Sequence, residues 1–585
     1  MYNFRNIFFH QEEFYKITPV NQKVDSWFGR LNSWAKKKQF QYKFVLIMTL
    51  FLGCTTNIDS RADIYIRINQ VGFEPSAIKS AVVLSDSDLS NNYYEIIDNK
   101  TFKVIIKGKI ERSTGKYAAF PYSYRINFNS LTEKGTYKIK INGVYSYSFK
   151  VEKNVYSGIP AKLLTFFTVQ RCGYTNPFMH EICHKADATS LIENGITINK
   201  SVDVTGGWHD AGDYVKFINT TAYATYSLLF AYELNKSKFQ FDNNNNQIPD
   251  LLEEAKIGLD WLLRCNFEKF KLITQVQDLR DHSFGWRLPE KDTLEFDRPA
   301  FVGMGKNIIG IYAATMSLAS RIWRERFQFD EYADKCLNSA ENLYSIHSSV
   351  PDIDNSTMGI YQDKSFLGKL SLGAVELYLT TNRAEYLKDA KKYADEAGPE
   401  YWWSYGEISD FAFYRLSQYD IKYAEFIEKS LLHFQNQMNL KVFNEAVDFF
   451  WGSNNTLLGV ALKNILYKKI TKRNTFDDLA ESQIDYVLGK NPWGISFITD
   501  TGTKSAKNLH HQISHILGKK LPGGFAAGPV KKEIVKNYNI QYDSIDRYES
   551  FQSDSAYYRD DRMDYITNEP TIIANATGII VFSGF

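Results

Sequence analysis

The chain has 585 residues, more than one hydrophobic core usually holds, so several domains, or one large helical domain with a smaller companion, are expected. Its 69 basic and 67 acidic residues leave a formal net charge of +2, which gives no electrostatic footprint for nucleic acid. Five cysteines argue against a dense disulfide framework, and 38 Tyr with 10 Trp suit either an aromatic-rich core or a cleft that stacks on sugar rings.

In chain order, a basic stretch, AKKKQFQYK, leads into an apolar run from Phe44 to Gly53. That run is too short to span a bilayer as an ordinary helix and reads as the core of a secretion signal. It ends in LGC, which looks like a bacterial lipoprotein signal with Cys54 as the lipidated residue, although Phe51 stands where Leu is usual. Residues 1–60 are therefore read as an N-terminal extension and lipoprotein-type signal. Its late position fits an upstream start codon. An export signal without lipid, or a cytosolic protein, are the alternatives.

Residues 62–152 have a period of two, in runs such as IYIRINQVGF, SAVVL, YYEII and TYKIKI. Asn142-Gly143 lies between two alternating runs and predicts a two-residue hairpin. About seven such strands predict a small all-β immunoglobulin-like sandwich. From residue 155 to 585 helical spacing takes over, as in TAYATYSLLFAYEL, IPDLLEEAKIGLDWLLRC and TLLGVALKNILYKKI. Many helices joined by loops rich in Gly, Trp and paired charges predict an all-α toroid with its cleft at the loop end.

The stretch GGWHDAGDYVKF carries Asp210 and Asp213 on a glycine-rich loop. Two carboxylates so placed can share a water, one taking its proton while the other orients it. The same residues would also serve in a polar turn. Glu569, in YITNEPTIIANA, sits near the start of the last helical run, as a first-turn residue or as a general acid if burial raises its pKa. His510 and His511 are adjacent in a Gly- and Ser-containing loop, where a surface pair or a weak metal site are the ordinary readings.

Together these residues carry a resemblance to the family-9 glycoside hydrolases, inverting cellulases with an (α/α)6 barrel. The resemblance extends from about Ile64 to Phe585. DAGD preceded by GGW resembles the family's base motif. Tyr558, Asp560, Tyr565, Glu569, Thr571, Asn575 and Ala576 match its acid pattern. Ser496, Ile498, Thr499, Gly502, Lys504, Leu509 and His510 match its His loop. The sandwich resembles the immunoglobulin-like module that precedes the barrel in one branch.

The resemblance implies inverting hydrolysis of β-1,4-glucosidic bonds. Asp213 is then the general base, Asp210 orients the water and Glu569 protonates the leaving oxygen. His510 and Asp560 belong to their surroundings. In an inverting enzyme the two carboxyl groups stand about 6.5–9.5 Å apart. One departure is that the family's His-x-Arg becomes His510-His511-Gln512, a neutral amide in place of a charged fork.

Cys172, Cys183, His184 and His209 make a Cys2His2 set suited to structural zinc, and relatives bearing the sandwich hold zinc in this region. Two buried thiols, or a disulfide between the cysteines, are the rivals. In DNNNNQIPDLLEE, Asp242, Asn244, Asn246, the Ile248 carbonyl and Glu253 resemble a calcium loop, with an Asn-rich helix-capping loop as the alternative. No cofactor is implied for catalysis. Trp286, Arg287, His511, Gln512, Tyr565 and Trp402 are expected sugar contacts.

The expected protein is an exported, monomeric endoglucanase acting on cellulose, mixed-linkage glucan or xyloglucan. It touches a membrane only through a lipid anchor. An exo-acting glucosidase or cellobiohydrolase is the runner-up. A glycan-binding surface lipoprotein without catalysis and a zinc hydrolase using His209 are rivals of other classes.

Overall fold

The computed structural model describes residues 63–356 and 363–585. The expected signal and Cys54 lie outside them. Among the described residues no helix is long and apolar enough to cross a membrane.

Ten short strands form the first part: β1 (Ile64–Arg67), β2 (Gly72–Phe73), β3 (Ser80–Ser85), β4 (Tyr93–Asp98), β5 (Val104–Lys109), β6 (Gly115–Tyr117), β7 (Phe120–Asn127), β8 (Gly135–Ile141), β9 (Val144–Tyr145) and β10 (Phe149–Val151). They make two sheets, β1-β3-β7-β6 and β2-β10-β8-β4-β5, with β9 paired to β8. Alternation sends Val83, Tyr124, Ile96, Ile139 and Phe149 into the core between the sheets. Asn142 and Gly143 both take positive φ, at 47° and 82°, and Ile141 pairs with Val144. That is the two-residue hairpin expected from their identities.

The helices are α1 (Ile159–Gln170), α2 (Ile218–Leu234), α3 (Asp250–Cys265), α4 (Arg280–Ser283), α5 (Lys306–Phe327), α6 (Asp330–Tyr344), α7 (Leu367–Thr381), α8 (Ala384–Ala397), α9 (Ser409–Leu416), α10 (Lys422–Met438), α11 (Ser453–Thr471), α12 (Asp477–Val487), α13 (Gln512–Ile516), α14 (Lys532–Lys536) and α15 (Ile572–Gly584). Contacts run α2–α5–α7–α9–α11–α15 and back to α2, a closed inner ring of six. The helices α3, α6, α8, α10, α12 and α1 pack outside it. This is the (α/α)6 barrel.

The division follows from sequence chemistry. Every residue of α2 from Ile218 to Tyr232 is buried, as is every residue of α15 from Ile572 to Ser583. A helix apolar or small on all sides has to sit inside. In α8, AEYLKDAKKYADEA, only Ala390, Tyr393 and Ala394 are buried, so its charged face stays in water. Inside the ring the Glu376 carboxylate accepts from Tyr226 Oη at 2.7 Å and Arg415 Nε at 2.9 Å, tying α7 to α2 and α9.

The sandwich rests on the barrel through its first sheet. Val82, Leu84 and Phe120 join the barrel's core, and Asn69 donates to Asp485 at 2.9 Å. A third sheet lies at the loop end: β11 (Ser190–Glu193), β12 (Ile196–Ile198), β13 (Lys216–Phe217), β14 (Leu272–Val276) and β15 (Pro299–Gly303), in the order β12-β11-β15-β14-β13. It adds β-structure to a region expected to be helical throughout. Because β13 ends where α2 begins, the sheet fixes how the Asp210–Asp213 loop enters the barrel.

Candidate active site and metal cluster

Ring closure brings α2 and α15 side by side, so the loops before them meet. Thr571 caps α15, its hydroxyl accepting from Ala574 N at 3.3 Å, and Glu569 stands just ahead of that cap. The Ile572 amide donates to Asp210 O at 3.0 Å. Gly212 N donates to Glu569 Oε1 at 3.2 Å. A Cβ on Gly212 would come within 2.3 Å of His510 O and 3.1 Å of Glu569 Oε1. Glycine is therefore required between the aspartates for the two chain segments to approach.

The loop is held from behind. Gln170 Nε2 donates to His209 O at 3.0 Å and Ala211 O at 2.5 Å, and His511 Nε2 donates to Gln170 Oε1 at 2.7 Å. His511 Nδ1 accepts from Ser514 N at 3.4 Å, which fits the Nε2-protonated tautomer. Trp208 is fully buried and donates to Glu254 Oε1 at 2.8 Å. Asp210 is buried, and its Oδ1 accepts from Thr220 Oγ1 at 2.5 Å.

Asp213 accepts from Val215 N at 3.1 Å and pairs with His282 Nε2 at 2.5 Å. Burial acts to raise its pKa, but the hydrogen bond and charge of His282 outweigh it and leave the pKa low. Glu569 is shifted the other way. Burial and then the charge of Asp213 push its pKa well above the usual carboxylate range. Two carboxyls pushed apart in this way are suited to opposite roles, one a proton acceptor and the other a proton donor.

His510 donates from Nδ1 to Arg562 O at 2.7 Å, and burial lowers its pKa. Asp560 Oδ1 accepts from Lys507 N at 3.0 Å and Asn508 N at 2.8 Å, closing the loop that carries His510. Burial raises the Asp560 pKa. Trp286 packs edge-on against His510 and His515, with centroids at 5.2 and 4.6 Å. Tyr565 lies beside His510 at 5.9 Å and Trp451 at 6.1 Å. Trp402 is half-buried, whereas its neighbour Trp403 is buried and donates to Tyr223 Oη.

Three residues expected to touch sugar make their recorded bonds within the protein. Arg287 donates to Asp281 Oδ1 at 2.5 Å and Asp292 Oδ1 at 2.7 Å. Gln512, buried, accepts from Arg287 N at 3.1 Å. His511, 1% exposed, braces Gln170. The departure from Arg to Gln therefore sits beneath the loop carrying Trp286 and Arg287. Sequence reasoning missed Gln170, Thr220 and Asp281 as supports of the aspartate loop. Nor did it pair His282 with Asp213.

Cys172, Cys183, His184 and His209 converge behind the loop. One ligand atom from each lies within 4.8 Å of all the others, and all four residues are buried. Both cysteines are free thiols. His184 Nδ1 is 3.2 Å from His209 Nε2 and 3.5 Å from Cys172 Sγ, and Cys183 Sγ is 3.9 Å from His209 Nε2. A tetrahedral ion with ordinary sulfur and nitrogen bond lengths spaces its ligands about 3.3–3.8 Å apart, so the donor set fits a metal. His184 Nε2 lies 3.2 Å from Asp292 Oδ2, the carboxylate support a metal-binding imidazole needs.

In the loop before α3, Asn246 N donates to Asp242 Oδ1 at 3.2 Å and to Asn244 Oδ1 at 3.1 Å. Asn244 Nδ2 donates to Glu253 Oε1 at 2.9 Å, and Ile248 N to Asn246 Oδ1 at 2.9 Å. The four side chains thus face one another.

The model of glycosyl hydrolase family 9 matches residues 156–582, and that of the cellulase N-terminal ig-like domain matches residues 61–146. Endoglucanase D of Acetivibrio thermocellus is 26% identical over 558 residues, covering 89% of this chain and 83% of that protein. A cellodextrinase of Butyrivibrio fibrisolvens is 26% identical over 511 residues, covering 79% and 90%. The crystal structure of a metagenome-derived family-9 endoglucanase superposes with a TM-score of 0.76 at 25% identity, covering 89% of this chain and 98% of that one.

Proposed function

Because the chain belongs to glycosyl hydrolase family 9, we propose that it cleaves β-1,4-glucans with inversion at the anomeric carbon, using Asp213, Asp210 and Glu569. The observation that carries this reading is the bond from Gly212 N to Glu569 Oε1. It sets a carboxyl with a raised pKa beside the residue that precedes Asp213, whose pKa is lowered.

In the proposed mechanism a glucan lies across the loop end of the barrel. Glu569, held protonated by burial and by the charge of Asp213, gives its proton to the departing glycosidic oxygen. Asp213 takes a proton from the water that attacks the opposite face of the ring. Asp210, fixed by Thr220, orients that water. The product is the α-anomer, and each catalytic cycle ends with proton exchange at both carboxyls. Trp286, Tyr565 and Trp402 are the aromatic faces best placed to stack on sugar, whereas Arg287, His511 and Gln512 support the surrounding loops.

Endo-action is the first choice, and an exo-acting enzyme of the same family is the second. The names of the two relatives, an endoglucanase and a cellodextrinase, leave room for both. A product time course on soluble β-glucans separates them. Endo-action yields a spread of oligosaccharides and a rapid fall in viscosity. Release of monosaccharide alone from chain ends overturns it. Nuclear magnetic resonance of the first product should show the α-anomer, and a β-anomer would overturn inversion.

The Cys2His2 cluster suits zinc, which when bound would pin the aspartate loop from behind. Overnight chelation is expected to lower the melting temperature while activity declines slowly. Immediate, reversible loss of turnover on chelation would assign the metal to the reaction instead. Asp242, Asn244, Asn246, Glu253 and the Ile248 carbonyl suit calcium. We read residues 62–152 and 155–585 as the two domains. Export, with a lipid anchor at Cys54, and action as a monomer complete the proposal.

A further inference from the structure

We propose that a groove between the Cys172–Cys183 loop and the segment after α13 is a distal β-glucan subsite, which holds part of the chain away from the bond that breaks. This extends the glucanase reading above and rests on it. The groove has a volume of about 570 Å³, within the range of sites that take small organic ligands.

The floor of the groove is apolar, lined by Phe178, Met179, Leu288, Leu517 and Pro522. Met179, Leu288 and Leu517 also pack on the barrel core, which anchors them. Phe178 N donates to Thr168 O at 2.9 Å, tying the loop to α1. Its ring is nevertheless left 50% exposed. The next residue, Met179, has a φ of 75°, in the left-handed region that a non-glycine residue seldom adopts. A strained turn that leaves an aromatic ring in water gives the free protein little packing in return, which points to a ligand.

The groove also has a polar side. Glu181, Glu290 and Lys519 line it. Two further lining groups are already committed. Lys520 is bound to Asp500 at 2.6 Å. The ring nitrogens of His180 lie 2.7 Å from Glu181 O and 2.9 Å from Val169 O. Glu290 is the informative residue, because its Oε2 is buried and makes no hydrogen bond among the described residues. A buried acceptor without a donor is costly and uncommon, and a donor that arrives with the ligand accounts for it. A glucosyl residue brings what is missing. Its C–H faces can lie on the apolar floor while its hydroxyls donate to carboxylates at the side.

Position selects a glucan over other polyols. Trp286, proposed above to stack on sugar, packs against His515 with centroids at 4.6 Å. Leu288 and Leu517 each follow two residues further along these same segments. The groove is therefore continuous with the cleft, and a chain resting on Trp286 meets it next.

The test compares kcat/KM on cellotriose and cellohexaose for the wild type, Phe178→Ala and Glu290→Leu. On cellohexaose each variant should lose about tenfold, the scale of one hydrogen bond to a charged group. On cellotriose, which spans only the sites around the reacting bond, both should stay within about twofold of the wild type. Equal losses on the two substrates, or no loss on either, would overturn the proposal. Glu290→Leu removes an unpartnered carboxylate oxygen, so its melting temperature should be no lower than that of the wild type. A marked fall would make Glu290 a structural residue and overturn its role here. In Glu569→Gln, cellohexaose should shift the Met179 methyl resonance and cellotriose should not. A methyl unmoved by cellohexaose would overturn the subsite without reference to turnover. A wild-type dimer that Phe178→Ala separates, seen by analytical ultracentrifugation, would give the groove to a second copy of the chain and overturn it as well. A wild type inactive on both oligosaccharides and on every soluble β-glucan would overturn the parent reading instead.

Discussion

Glu569→Gln lowers kcat on a soluble β-glucan by about 10³-fold, within the range that a positioned acid contributes. The substitution keeps the volume, and the amide oxygen can still accept the Gly212 N–H, so the meeting of the two loops survives. What disappears is the proton. The loss should depend on the leaving group: a glucosyl fluoride, which needs little protonation, should be hydrolysed far closer to the wild-type rate. Asp213→Asn should show no such recovery, because its deficit is in activating water. Substantial activity of Glu569→Gln on glucan would remove Glu569 as the acid. Equal defects on glucan and fluoride would assign it a role other than proton donation.

Arg298→Met destabilises the protein by about 3–5 kcal/mol, the usual cost of breaking a buried ion pair from one side. Arg298 is fully buried. Its Nε donates to Asp187 Oδ1 at 2.6 Å, and its Nη2 donates to Tyr214 O at 2.8 Å. Lys216 Nζ lies 2.8 Å from Asp187 Oδ2, so one cation remains after the change and the carboxylate is left half-compensated. Tyr214 follows Asp213, so the same change frees the base loop and should lower kcat as well. Urea denaturation of Arg298→Met, Asp187→Asn and the double variant provides the check. The double variant should lose less than the sum of the singles, because they share one interaction. Additive losses would show that the pair is not coupled.

Much of the architecture could be read from local chemistry. Asn142-Gly143 is a turn wherever it stands between alternating strands. Helices such as α8 announce themselves by a charged face. The inner helices are harder to order, because α2 and α15 are apolar or small on every side and show no favoured face. The sheet β11–β15 escaped notice because β13 is two residues long and its neighbours lie far apart in the chain.

The same physics divides the site. Asp210, Asp213 and Glu569 stand out because carboxylates beside glycine or a helix start attract attention. The pairing of Asp213 with His282, 69 residues away, depends on how α4 is folded over the loop. Arg287 and Gln512 look like sugar ligands by type, yet their bonds turn inward to Asp281, Asp292 and each other. The Cys2His2 cluster is easier to see, since thiols and imidazoles have few other reasons to gather.

The closure of the inner ring has a consequence for the order of events in synthesis. The segment from Glu569 to Phe585 is made after the rest of the barrel, yet it supplies both the Glu569 carboxyl and the helix that packs against α2. Until it arrives, α2 and α11 lack their shared neighbour and the aspartate loop lacks its opposing carboxyl. Contacts between residues 212 and 569 span 357 positions, so their formation is among the late, entropically costly steps of folding. A chain cut before Glu569 should therefore lack both the closed ring and the carboxyl that faces the aspartate loop.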